Sequence, residues 1–258
     1  MFSNSVPQFH KGRILKREML ESIRDYPRIL LDIYSQYEAD GVLTGAEVTV
    51  GESELTIAKG IVKHNGIVYV LDQAYKLPYK ATGKETLLKI RFEEPETISD
   101  FVSHRSVIVL HEDANLQRNE LELGRFKLKA GARLRSEYQS FADLATEYNT
   151  FNVIHVPYAA YETSTLHPLI IRYFATELLK SGTNHVYDVS FAMQALKDGN
   201  VPRDLLLHYI TQRIGGGYRS YTNVQIHKHL TRILDEARSG RRASGDMMRS
   251  GMQRIVVD

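Results

Sequence analysis

The 258-residue sequence predicts an α+β protein: an N-terminal helical arm, a small antiparallel β sandwich or barrel, and a C-terminal helical bundle ending in a flexible tail. Two observations carry this reading. Apolar residues recur at helical spacing before residue 41 and again after residue 134, and between them the period drops to the alternation of strands. A third is punctuation, since Gly and Pro sit where each period stops and starts. The expected organisation is an arm over 1–44, a β domain over 45–134, a helical domain over 135–237 and a tail over 238–258.

Each element has its own signal. Met19, Ile23, Ile29, Leu30, Ile33, Tyr34 and Tyr37 line one stripe of a helix, and Pro27, which lacks an N–H, predicts a break or kink at Asp25-Tyr26-Pro27 with a second helix starting there. Gly41 marks the exit. Strands are expected at 54–58, 61–63, 67–71, 86–92, 106–110 and 121–128, where apolar and polar residues alternate between turn formers. Asn65-Gly66 is the strongest hairpin signal, because both residues accept the positive φ angles of a type I′ turn. After Gly131 a helical segment is expected around Tyr138–Tyr148, then a linking stretch at 153–157. Pro168 opens a helix that stops at Ser181-Gly182, and three more amphipathic helices follow at 188–196, 202–214 and 223–237, with Gly199 and Gly215-Gly216-Gly217 as stops.

Composition narrows the function classes. A hydrophobic fraction of 43% and a charged fraction of 25% are those of a folded globular chain. Net charge is only +2, so any basic partner surface has to be local. The absence of cysteine excludes disulfides, thiolate metal sites and Cys nucleophiles. No basic stretch followed by an apolar run opens the sequence, so no signal peptide is expected, and no apolar stretch approaches the roughly 20 residues of a membrane span.

The motifs that could carry chemistry lack the sequence context that chemistry requires. Gly215-Gly216-Gly217 follows a helix and precedes Tyr218-Arg219-Ser220-Tyr221, without the Lys-Ser/Thr ending of a phosphate loop. His227 and His229 sit about 200° apart on a helix, whereas chelation there uses i and i+4, so both are expected to be solvated. Glu93-Glu94 and Glu112-Asp113 fall near strand ends, where acids serve turn geometry and solubility. No catalytic, cofactor or metal residues are assigned, and the chain is expected not to be an enzyme. Arg213, Arg219, Lys228, Arg232, Arg238, Arg241, Arg242, Arg249 and Arg254 make a basic C-terminal stretch interleaved with Tyr218 and Tyr221. That stretch is the basis of an alternative reading as a nucleic-acid-binding protein, although the near-zero net charge favours an acidic protein surface as its partner.

The segments Phe2–Leu15, Arg24-Asp25-Tyr26-Pro27 and Tyr37–Gly45 resemble prophage-encoded proteins from contractile-tail and phage-tail-like bacteriocin gene clusters. The hairpin Leu55–Tyr69 resembles the β module that opens many phage baseplate and tail-fibre proteins. The likeness covers the first half, to Leu134. It implies a structural baseplate subunit that joins wedge, hub or fibre components, works with other tail proteins and copies of itself, and uses no cofactor. It also implies assembly in the bacterial cytoplasm followed by incorporation into a virion or tailocin. No repetitive shaft or receptor-binding tip is present, so host recognition is not implied. Residues nominated for partner contact are Phe9, Arg13, Tyr34, Tyr37, Tyr218, Tyr221, Arg241, Arg242, Ile255, Val256 and Val257. Aromatic residues give large contact area with a polar tip, and the β-prone Ile255-Val256-Val257 could extend a neighbour's sheet edge or simply fray.

Overall fold

A computed structural model describes residues 4–99, 101–113 and 115–240. Its elements confirm the α+β class, with five α-helices and several small antiparallel sheets among the described residues, none closed into a barrel. The chain divides into two compact units, Met1–Glu38 and Ala39–Asp258.

The first unit is built on helix α1, Arg17–Ser35. Contrary to the break expected at Pro27, the helix runs unbroken through that residue. Proline removes one N–H, which leaves the carbonyl of Ile23 without its helical partner. Ile23 lies on the exposed side of the helix at 49% exposure, and the loss of one hydrogen bond there does not break the backbone.

In the second unit, strands β1 (Gly41–Gly45), β4 (Gly60–His64) and β5 (Ile67–Leu71) form one sheet in the order β1-β4-β5. The Asn65-Gly66 turn joins β4 to β5 with φ angles of 49° and 75°, as the type I′ reading requires. A second sheet has the order β2-β3-β6, from Val48–Val50, Glu54–Ile57 and Tyr75–Pro78. The third places β7 (Glu85–Phe92) between β10 (Ser106–His111) and β11 (Glu120–Lys127). A short hairpin of β8 (Glu96–Ile98) and β9 (Phe101–Ser103) lies in the connection after β7.

Register within β7 explains two kinds of burial. Leu88, Ile90 and Phe92 join the hydrophobic core, whereas the alternate residues Lys89 and Arg91 stand opposite Glu122 and Glu120 of β11. The register shifts between Glu122 and Gly124, and Gly124 adopts φ +149° with no room for a side chain beside the Phe151 ring.

The helix expected around Tyr138–Tyr148 is not formed; only a single 3₁₀ turn, Ala142–Ala145, interrupts irregular chain there. Asp143 supplies the reason. Its carboxylate takes hydrogen bonds from the Gln139 backbone N–H at 2.9 Å, from Thr146 Oγ1 at 2.7 Å and from Arg135 at 2.6 and 2.7 Å. Local side-chain bonds of this kind compete with a helical ladder. The apolar spacing of Tyr138, Phe141 and Leu144 instead serves packing: Phe141 and Leu144 are buried, and the Tyr138 hydroxyl donates to the Phe151 carbonyl at 2.6 Å.

Helices α2 (Pro168–Lys180), α3 (Val186–Asp198), α4 (Arg203–Ile214) and α5 (Asn223–Ser239) lie where the sequence places them. Thr222 and Gln225 form a reciprocal capping box at the start of α5. Ile170, Phe174, Phe191, Leu206, Ile210, Leu230 and Ile233 from these helices belong to the same buried cluster as Leu55, Ile90 and Leu123 from the strands. Sheets and helices of the second unit therefore share one core. No helix among the described residues is long and apolar enough to cross a membrane.

Candidate assembly surfaces

The residues nominated for partner contact fall into three groups. Phe9, Arg13, Tyr34 and Tyr37 belong to the first unit and are exposed, Tyr34 the most at 79%. Tyr218 and Tyr221 lie in the connection between α4 and α5, where they turn to different neighbours. The Tyr218 hydroxyl donates to Asp204 at 3.0 Å and its ring lies against His208, whereas the half-buried Tyr221 lies against His229. Arg241, Arg242, Ile255, Val256 and Val257 lie outside the described residues.

Helix α1 carries the largest apolar display. Leu20, Ile23, Tyr26, Ile29, Leu30, Ile33 and Tyr34 are all exposed, and Arg17, Arg24, Glu18, Asp25 and Asp32 occupy the remaining faces. A contiguous exposed apolar stripe of this size makes α1 a candidate interaction surface. The sequence showed the stripe, Ile29 included, but only Tyr34 and Tyr37 were nominated from it; the exposed Leu20 and Tyr26 widen it. In the second unit, β5 and β10 are sheet edges, and an apolar cleft of about 240 Å³ between them is lined by Tyr69, Leu71, Val107 and Ile108 above Ile57 and Ile90.

Several buried charged residues of the second unit are committed to internal pairs, which the sequence did not reveal. Lys89, only 2% exposed, donates to Glu120 at 2.7 Å, and Arg91 donates to the other oxygen of that carboxylate at 3.0 Å. Arg125 grips Glu122 through two bonds of 2.7 Å. At the helical end, fully buried Asp188 accepts from Thr183 Oγ1 at 2.8 Å, from the Tyr209 hydroxyl at 2.8 Å and from Arg213 Nε at 2.6 Å. Burial, with the Asp188 charge beside it, pushes the Tyr209 hydroxyl far up and keeps it a neutral donor.

These pairs bear on the nucleic-acid alternative. Arg213, read from sequence as part of a basic surface, is buried against Asp188. Arg232 pairs with Glu236 at 2.8 Å and Arg238 with Glu177 at 2.6 Å, so three cations of the expected patch already face carboxylates. Arg219 and Lys228 remain exposed.

Histidine placement also departs from expectation. His227, expected to be solvated, is buried: its ring stacks on Phe141 and its Nε2 lies 3.1 Å from the Phe141 carbonyl. Because a carbonyl can only accept, Nε2 carries the proton. The helical spacing was read correctly, but nothing in it identified which face met the core. No group of three or more His, Asp or Glu side chains suited to a metal ion occurs among the described residues.

His167 and Glu120 together set an acid-stability profile. His167 Nδ1 accepts from the Leu169 N–H at 3.1 Å to cap α2, and burial lowers its pKa to about 4 from an ordinary 6.5. Protonation is therefore favoured in the unfolded chain, and this contribution is complete above about pH 6.5 and lost as pH falls toward 4. For Glu120, burial pushes the pKa up, but hydrogen bonds from Lys89, the Gln117 N–H and Arg91 outweigh it and hold the group at about 2 against an ordinary 4.5. That contribution is present above about pH 4.5 and lost as pH falls through 2. Urea midpoints across this range should fall in two stages. In His167→Asn, which keeps a capping acceptor but cannot titrate, the upper stage should shrink while the lower one persists, the remainder of the upper stage belonging to His155, His227 and His229, which burial also holds below the ordinary histidine value.

No protein-family model and no curated protein matches the chain. Among solved structures, the chain is similar to one described as the crystal structure of TssK, with a TM-score of 0.44 and 10% identity over 92% of this chain and 72% of that one. It is also similar to a chain of the type VI secretion system TssK-TssF-TssG baseplate subcomplex, with a TM-score of 0.38 and 10% identity over 91% of this chain and 99% of that one. A third likeness is to a chain of the baseplate complex from the type VI secretion system, with a TM-score of 0.34 and 10% identity over 90% and 100% of the respective chains.

Proposed function

We propose that this chain is a structural subunit of the baseplate of a contractile phage tail or phage-tail-like particle, joining wedge, hub or fibre components rather than transforming a substrate. The observation that carries the reading is the exposed apolar stripe of α1, a surface that water penalises and a neighbouring chain would cover. Internal pairing of the buried charges adds to it, since Lys89, Glu120, Asp188 and Arg213 consolidate the scaffold and leave contact to the surface. The likeness of the N-terminal half to contractile-tail proteins supplies the kind of assembly. An arm, a unit whose strands and helices share one core, and a basic C-terminal sequence would offer that role several contact surfaces. Assembly would take place in the bacterial cytoplasm before incorporation into the particle.

The test is particle biochemistry in a producing host. The chain should sediment with sheath and tube in purified particles, and deletion of its gene should leave tubes or sheaths without baseplates. Normal particles from the deletion strain would refute the proposal.

A further inference from the structure

The apolar stripe of α1 has an internal register. Met19, Ile23, Tyr26, Leu30 and Ile33 follow one another at spacings of four, three, four and three, which is the a/d alternation of a heptad seam. Ile23 and Leu30 occupy a positions, and Met19, Tyr26 and Ile33 occupy d positions. Four of the five are exposed and Met19 is half-buried. The flanking e and g positions hold Leu20, Pro27 and Tyr34 on one side and Ser22, Ile29 and Gln36 on the other. None carries a charge, so nothing at the seam's border repels an identical copy.

Charge enters one position further out, and there it is sorted by side. Arg17 and Arg24 lie at b, beside the e flank; Glu18, Asp25 and Asp32 lie at c, beside the g flank. When two such helices pack in parallel, the e side of one meets the g side of the next, so the basic border faces the acidic one. When they pack antiparallel, like borders meet, Arg against Arg and Asp against Asp. Arg17 is bonded to Glu21 and Arg24 to Asp25 within the helix, but both pairs are solvent-exposed and of a kind that contributes little, so the side chains are free to re-pair.

We infer that α1 is a homotypic assembly element: copies of this chain associate through a parallel bundle of α1 helices along the seam defined by Ile23, Leu30 and Ile33. The inference rests on the assembly reading above and names one partner within it, a further copy of the same chain. The width that Leu20, Ile29 and Tyr34 give the stripe favours a bundle of more than two helices, because a pair would leave those side chains in water.

The test uses the full chain. Sedimentation equilibrium of the wild type across a wide concentration range should show a discrete oligomer. The double substitution Ile23→Asp and Leu30→Asp should reduce it to the single-chain mass while the cooperative unfolding midpoint is retained, since these residues lie outside the core of the second unit. Orientation is read separately. The chain has no cysteine, so Ile33→Cys introduces a lone thiol at a d position near one end of the helix. Parallel packing brings the thiols of neighbouring helices together, and mild oxidation should convert about two thirds of the chains of a three-helix bundle, or nearly all of an even-numbered one, to covalent dimers; antiparallel packing sets that position opposite the Met19 end and gives none. A wild type at single-chain mass throughout, an oligomer untouched by the double substitution, or an Ile33→Cys variant that resists cross-linking overturns the inference. If such a chain still sediments with tail particles, only the seam fails; if it is absent from them, the functional proposal fails as well.

Discussion

Replacing Asp188 with Ala is expected to destabilise the protein by about 3–5 kcal/mol, the cost of breaking a buried ion pair by removing one partner. The carboxylate is fully buried and is the acceptor for Thr183, Tyr209 and Arg213 at once. Without it, the guanidinium of Arg213, itself 6% exposed, stays in the interior with no counter-charge. At about 2–4 °C per kcal/mol for a chain of this size, the thermal midpoint should drop by roughly 10 °C. The double variant Asp188→Leu with Arg213→Met should recover much of the loss, because removing both charges also removes their desolvation cost. A single variant as stable as the wild type would show that the pair is solvated in solution.

Gly60→Ala is expected to be at least as damaging. Gly60 of β4 faces Gly45 of β1 in register, and a Cβ there would meet the backbone N of Ala46 at 2.3 Å and the carbonyl oxygen of Thr44 at 2.8 Å. Those atoms are main chain held in a sheet and cannot swing aside, so the strands must part. Overpacking of this type costs about 3 kcal/mol or more when the neighbours cannot relax. Soluble yield and urea midpoint should both fall, whereas Gly66→Ala, at a turn with open space around it, should lower the midpoint far less.

The contrast between these two glycines also shows where the sequence was readable. Gly66 announced itself through Asn65 and the alternating runs on either side, a signal contained within a dozen residues. Gly60 did not, because its constraint comes from β1, whose five residues include two glycines and show little alternation. The C-terminal helices were legible for the same local reason: Pro168, Gly199, Thr222 and Gly215 punctuate them. The segment around Asp143 was misread because apolar residues at helical spacing also occur in irregular chain, and the carboxylate that decides between the two acts through Arg135, eight residues away. Among candidate contact residues, the exposed aromatics of α1 were visible as an amphipathic stripe. The commitment of Arg213 to Asp188 and of Lys89 to Glu120 was not, since each pair joins residues 25 or more positions apart.

Pro27 gives α1 a thermodynamic character that its outline does not convey. A proline within a helix costs about 3 kcal/mol, and a nineteen-residue helix is already near the length at which isolated helices are marginal in water. The arm therefore holds little conformational stability in reserve, and much of the free energy that keeps it wound would come from whatever it docks against. If copies dock through α1 as inferred above, ordering and docking would be one linked transition: at low subunit concentration the arm would fray and be open to proteases, and rising concentration would tighten it. Growth of the assembly would then show a sharp threshold instead of a gradual rise, a kinetic safeguard against premature nucleation.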